Sequence, residues 1–100
     1  MKKKPQILPE TILQRNPNQL FSMIDDEVVM LNIKDEEYLN LNSQASYIWL
    51  QLESPKTFRN LADQLLENFD TEEQECIEDT KVFITDFIEK DIIQIINETV

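Results

Sequence analysis

Apolar residues change their spacing partway along the chain. Between Leu20 and Leu41 they come in short runs cut by polar pairs: Leu20 to Ile24, then Val28 to Ile33, with Asp25-Asp26 between them as turn formers. Lys34-Asp35-Glu36 makes the next polar turn. After it Leu39 and Leu41 fall on one face of an extended segment, and Tyr38 and Asn40 on the other. Connections this short join neighbouring strands antiparallel, so the pattern predicts a three-stranded meander.

From residue 43 the period lengthens. Ala45, Ile48, Trp49 and Leu52 have helical spacing, and Asn42 or Ser43 supplies an oxygen for the exposed N–H groups of a first helix over about 43 to 52. Ser54-Pro55 stops it, because the residue before proline disfavours the helical region. Thr57 is placed to cap a second helix striped by Phe58, Leu61, Ala62, Leu65, Leu66 and Phe69. Thr71 with Gln74 fits a capping box, and Glu72, Glu73 and Glu75 complement the positive end of a helix dipole, so a third helix is expected from there to about Lys90. Its apolar residues, among them Cys76, Ile77, Val82, Phe83, Ile84, Phe87 and Ile88, cover more than one narrow stripe. For Ile92 to Ile96 the pattern leaves three possibilities: more helix, a short strand, or a packed extended tail.

Ahead of the meander, Pro5, Pro9 and Pro17 interrupt a polar stretch, which reads as a flexible N-terminal arm over residues 1–18, with room for one short extended piece. Residues 19–97 then form one domain. Three strands followed by three helices make an α+β fold with helices on one face of the sheet.

Charge and residue inventory narrow the function. The chain has 100 residues, enough for one core, and a formal net charge of -11, which repels phosphate backbones. Nucleic acid is therefore not an expected partner. No apolar stretch resembles a signal peptide or membrane span, so a cytoplasmic protein without a membrane partner is expected. The chain has no histidine and a single cysteine, which removes the usual zinc ligands and the base of a serine or cysteine nucleophile. It has no glycine, and with it goes any phosphate-cradling loop. The acidic pairs Asp25-Asp26 and Glu72-Glu73 sit where turns and helix starts call for them. No catalytic residue, metal or cofactor is expected, and Cys76 reads as a buried small hydrophobe rather than a nucleophile.

What stands out is physical. A three-stranded sheet has two open edges, and the third helix carries an apolar surplus. A groove between an edge strand and that helix would accept an extended peptide by strand addition, alternate side chains entering apolar pockets. The plainer reading is that the stripe on helix three is core, Tyr38 an ordinary strand residue and Trp49 a core anchor.

The run Tyr38-Leu39-Asn40-Leu41-Asn42-Ser43-Gln44-Ala45-Ser46-Tyr47-Ile48-Trp49, followed by Pro55-Lys56-Thr57, resembles the PqqD-like family, as do Asp79-Thr80, Phe83-Ile84, Phe87 and Ile92-Ile93 downstream. The ordered set covers about residues 20 to 96. The resemblance implies a winged helix-turn-helix domain that binds the leader segment of a ribosomally made precursor peptide between its third strand and third helix. Carried over by position, the peptide-binding candidates are Glu37, Tyr38, Leu39, Asn40 and Leu41 on the strand, with Cys76, Thr80, Phe83, Ile84 and Phe87 on the helix. The Leu41-Asn42 pair would seal the strand end and cap the first helix. Family members often place glycine before the third strand and after the last helix, where this chain has Glu36 and Asp91.

The expected partners are the precursor leader, a leader protease and a cyclase or other maturase. The Ile-Trp and Thr features look most like the lasso peptide type. A chaperone for a radical maturase and a structural or oligomer-forming domain are the alternatives. A monomer and a swapped dimer both remain open, since small sheets with free edges swap readily.

Overall fold

The computed structural model describes residues 5–97. Its elements, in chain order, are β1 (Ile12–Arg15), β2 (Phe21–Ile24), β3 (Glu27–Asn32), β4 (Glu37–Asn40), α1 (Ser43–Gln51), β5 (Lys56–Thr57), α2 (Phe58–Asn68), α3 (Glu73–Glu89) and β6 (Ile93–Ile95). The expected meander is β2-β3-β4, antiparallel throughout, and it precedes the three expected helices. A second small sheet, ordered β5-β1-β6, stands beside it.

Backbone chemistry explains the meander's turns. Asp25 and Asp26 both have positive φ, 50° and 67°, as a two-residue hairpin of the I′ kind requires to match strand twist. Glu36 (φ 51°) and Asp91 (φ 62°) occupy the same left-handed region at the two places where glycine is common in the resembled family. Asp91 completes a Schellman motif at the end of α3. Its N–H donates to the Ile88 carbonyl at 3.0 Å and the Ile92 N–H to that of Phe87 at 2.9 Å. Ile92 and Phe87, the residues this motif brings together, are both buried.

The helix caps divide. Asn42 accepts from the Ala45 N–H at 2.9 Å, and Thr57 from the Asn60 N–H at 3.1 Å. The box expected at Thr71 and Gln74 does not form: the N-cap falls one residue later, at Glu72, and no side chain caps the helix. Glu73 and Glu75 in the first turn complement the dipole in its place.

The N-terminal segment departs from a free arm. Leu13 is fully buried and Ile7 nearly so, and β1 pairs with both β5 and β6. The extended piece allowed for by the sequence is thus β1, and the undecided tail is the strand β6 at its side. Residues 1–4 of the expected arm lie outside the described residues. The segment also completes two helix ends. The Phe58 and Arg59 N–H groups opening α2 donate to the Thr11 and Pro9 carbonyls at 2.8 and 3.0 Å. The Leu52 carbonyl closing α1 accepts from the Arg15 N–H at 2.9 Å.

The core lies between the meander and the helices. Val28, Met30 and Leu41 meet Ile48, Trp49 and Leu52 of the first helix, Leu61 and Leu65 of the second, and Ile84 and Phe87 of the third. Trp49 is fully buried, as expected of an anchor, with Phe21 edge-on at 5.5 Å and the Arg15 guanidinium 5.1 Å from its ring. No described helix is long and apolar enough to cross a membrane.

Candidate functional site

The meander ends in β4, which has β3 on one side and, among the described residues, no strand on the other. Leu41 N–H donates to the Val28 carbonyl at 2.9 Å, which fixes the phase of the ladder. By antiparallel alternation Glu37 and Leu39 turn their backbone groups toward β3, and Tyr38 and Asn40 turn theirs to the free edge. The same alternation sets the side chains. Leu39 lines up with Met30 and Phe21 on the core face, while Tyr38, 77% exposed, and Asn40 point away from it.

At the end of that edge the chain is locked onto α1 by Ser46, a residue that no spacing or motif singles out. Its buried hydroxyl accepts from the Val28 N–H at 2.8 Å and donates to the Leu41 carbonyl at 3.1 Å. The hydroxyl therefore stands in for the direct bond that would otherwise continue the ladder. The edge of β4 and the first turn of α1 are held in fixed relation by one atom.

α3 is tied to β4 at its C-terminal end, where its C-cap Lys90 pairs with Glu37. Of the five candidates on it, Cys76, Thr80, Ile84 and Phe87 are buried and hold the helix to the core, while Phe83 is half-buried and packs at the core's margin. Phe83 and Phe87 stack with centroids 4.2 Å apart. Helical periodicity explains the split: 76, 80, 84 and 87 share one stripe, and 83 lies at its border. On the strand, Leu41 is core and Leu39 and Glu37 are half-buried, leaving Tyr38 and Asn40 as the open members.

Two concavities meet at Phe83. One, of about 190 Å³, lies between the start of α1 and the middle of α3 and is lined by Asn42, Gln44, Ala45, Ile48, Asp79, Thr80 and Phe83. The other, about 490 Å³ and more open, follows α3 along Lys81, Val82, Phe83, Thr85, Asp86 and Glu89. The far end of the strip between strand and helix is closed by Lys90. Its Nζ lies 3.4 Å from Glu37 of β4, 3.6 Å from Asp86 of α3 and 4.0 Å from Asp35. Burial lowers the Lys90 pKa, but the combined fields of Asp86, Glu37 and Asp35, with the Glu37 hydrogen bond, outweigh it and raise the group above its ordinary value. The result is a shallow groove along α3, its two concavities meeting at Phe83, with a lysine clasp tying its far end to β4.

Cys76 is free and buried, and no cluster of metal-ligating side chains occurs among the described residues. The geometry suits an extended chain, which could hydrogen-bond to Tyr38 and Asn40 and rest side chains against Phe83.

The family described as "Coenzyme PQQ synthesis protein D (PqqD)" matches residues 27–93. The fold is similar to that of TbiB1 in complex with the TbiA(beta) leader peptide, with a TM-score of 0.72 and 22% identity over 85% of this chain and 99% of that one. It is also similar to lasso peptide synthetase B1 complexed with the leader peptide, with a TM-score of 0.68 and 21% identity over 82% of this chain and 96% of that one. No curated protein matches the sequence.

Proposed function

The chain belongs to the PqqD family, and from that premise we propose that it binds the leader segment of a ribosomally synthesised precursor peptide and presents it to maturation enzymes. The leader adds as a strand to the free edge of β4, bonding to the backbone of Tyr38 and Asn40, with an apolar side chain on Phe83. The observation that carries this reading is the open edge of β4, tied to α3 through Lys90 and Glu37, in a fold shared with two proteins whose structures hold leader peptides. The likeness to a lasso peptide synthetase B1 supports the lasso peptide setting, and in that setting we propose a leader protease and a cyclase as partners. The role is recognition rather than catalysis, and the protein works in the cytoplasm with the precursor.

Titration calorimetry of the full chain with a synthetic peptide spanning the leader of a candidate precursor from its gene neighbourhood should show saturable binding in the low-micromolar range or tighter. Asn40→Pro is the informative variant. It removes an N–H that faces outward, so the ladder to β3 stays intact while strand addition is blocked. Affinity should fall at least about tenfold, with thermal unfolding close to that of the parent protein. Absence of saturable binding by the parent chain would sink the proposal.

A further inference from the structure

The groove's floor is apolar, but its charged rim is lopsided. At one end Lys90 is, among the described residues, the single cation within 4.0 Å of Asp35, Glu37 and Asp86, so three carboxylates share one positive charge. At the other end Asp79 lines the smaller concavity beside Gln44 and Phe83, and among the described residues it has no ion-pair partner. The remaining lysine of α3, Lys81, lines the larger concavity with Asp86 and Glu89, and its Nζ lies 5.9 Å from the centroid of the Phe58 ring. Taken together, the carboxylates of Asp35, Glu37, Asp79, Asp86 and Glu89 outnumber the two lysines, Lys81 and Lys90, so the rim as a whole is net negative. Low-dielectric apolar walls concentrate such a field and select the sign of what enters.

We propose that the peptide this groove accepts is cationic, with an apolar anchor at Phe83 and a Lys or Arg on either side of it, one near Asp79 and one near Asp86. The inference rests on the strand-addition reading above and adds the charge and spacing of its ligand. Seven residues of helix separate Asp79 from Asp86, about 10.5 Å along the axis. An extended strand advances about 3.3 Å per residue, so the two basic side chains are about three to four residues apart. A neutral peptide of the same shape forgoes both pairings, and an acidic one is repelled.

The test uses the full chain and the same candidate leader peptide, at about 50 and about 500 mM salt. Replacing Lys and Arg of the bound stretch by Gln should weaken binding about fivefold, and high salt should do the same to the unaltered peptide. The double variant Asp79→Asn with Asp86→Asn should lose a similar factor and most of its salt dependence, and its unfolding curve checks that it folds. Asp79→Lys, which leaves the Lys90 clasp untouched, should weaken binding further. If the leader binds and Asn40→Pro abolishes binding, yet salt, the Gln peptide and both Asp variants change nothing, the cationic ligand is wrong and the strand-addition reading stands. A leader that binds without Lys or Arg in the bound stretch likewise overturns the cationic ligand and spares strand addition. A leader that does not bind at all overturns both.

Discussion

Single atoms carry much of the site's geometry. The Ser46 hydroxyl satisfies Val28 N–H and Leu41 C=O at once, in a place closed to water. Ser46→Ala leaves both groups unpartnered and should cost about 1–3 kcal/mol of stability, read as a lower midpoint in urea unfolding. It should weaken leader binding too, since β4 and α1 lose their fixed relation. Asp91 is the opposite case, a residue tolerated rather than required. It holds the left-handed position of a Schellman motif that glycine fills without a steric penalty. Asp91→Gly should therefore stabilise the chain by about 0.5–1 kcal/mol, the relief of left-handed strain exceeding the added chain entropy. Nothing in the spacing of apolar residues marks either position. A serine inside a helical run looks neutral until its register to a distant strand is known, whereas Asp91 could be flagged from the sequence through the glycine expected in its place.

Between elements, the groove depends on the distance between β4 and α3, and Lys90 is the side chain that ties them. Its folded-state pKa is raised, so the stability it contributes is present below its ordinary value of 10.5 and is lost as pH climbs through the raised one. Lys90→Gln should accordingly be less stable than the parent at neutral pH, and the difference should shrink above pH 10.5. Parallel denaturant titrations of the two proteins read this difference directly, and high salt should reduce it at any pH. At this scale the sequence was informative where signals were local. The Asp25-Asp26 turn, the alternation of Tyr38 to Leu41 and the caps at Asn42 and Thr57 each involve residues within a few positions of one another. Thr71 was locally plausible as a cap, but α3 begins at Glu73 with acidic dipole complementation instead. The site's strand edge was similarly legible, whereas the division of α3 into a buried stripe and a marginal Phe83 depends on where the helix sits against the core.

For the molecule as a whole, the hidden dependence is between its two ends and its middle. Ile93 and Ile95 of β6 sit opposite Arg15 and Leu13 of β1, about eighty positions away in sequence, so pattern could not decide the tail's conformation. The same β1 carries a fully buried leucine into the core, and its flanks supply the carbonyls of Pro9 and Thr11 to the start of α2. The family match, residues 27–93, begins after this segment, which invites trimming the chain to the matched region. Removing residues 1–18 would expose the apolar surface beneath Leu13 and Ile7, each worth about 1.5–3 kcal/mol. It would also strand the edges of β5 and β6 and leave the first N–H groups of α2 to solvent. The trimmed chain should lose at least about 3 kcal/mol, and its Tm should fall by more than about 10 °C. Because β4, α1 and α3 keep all their mutual contacts, the fraction that remains folded should still bind the leader. A trimmed chain as stable as the parent would show that β1 is docked on the domain without supporting it.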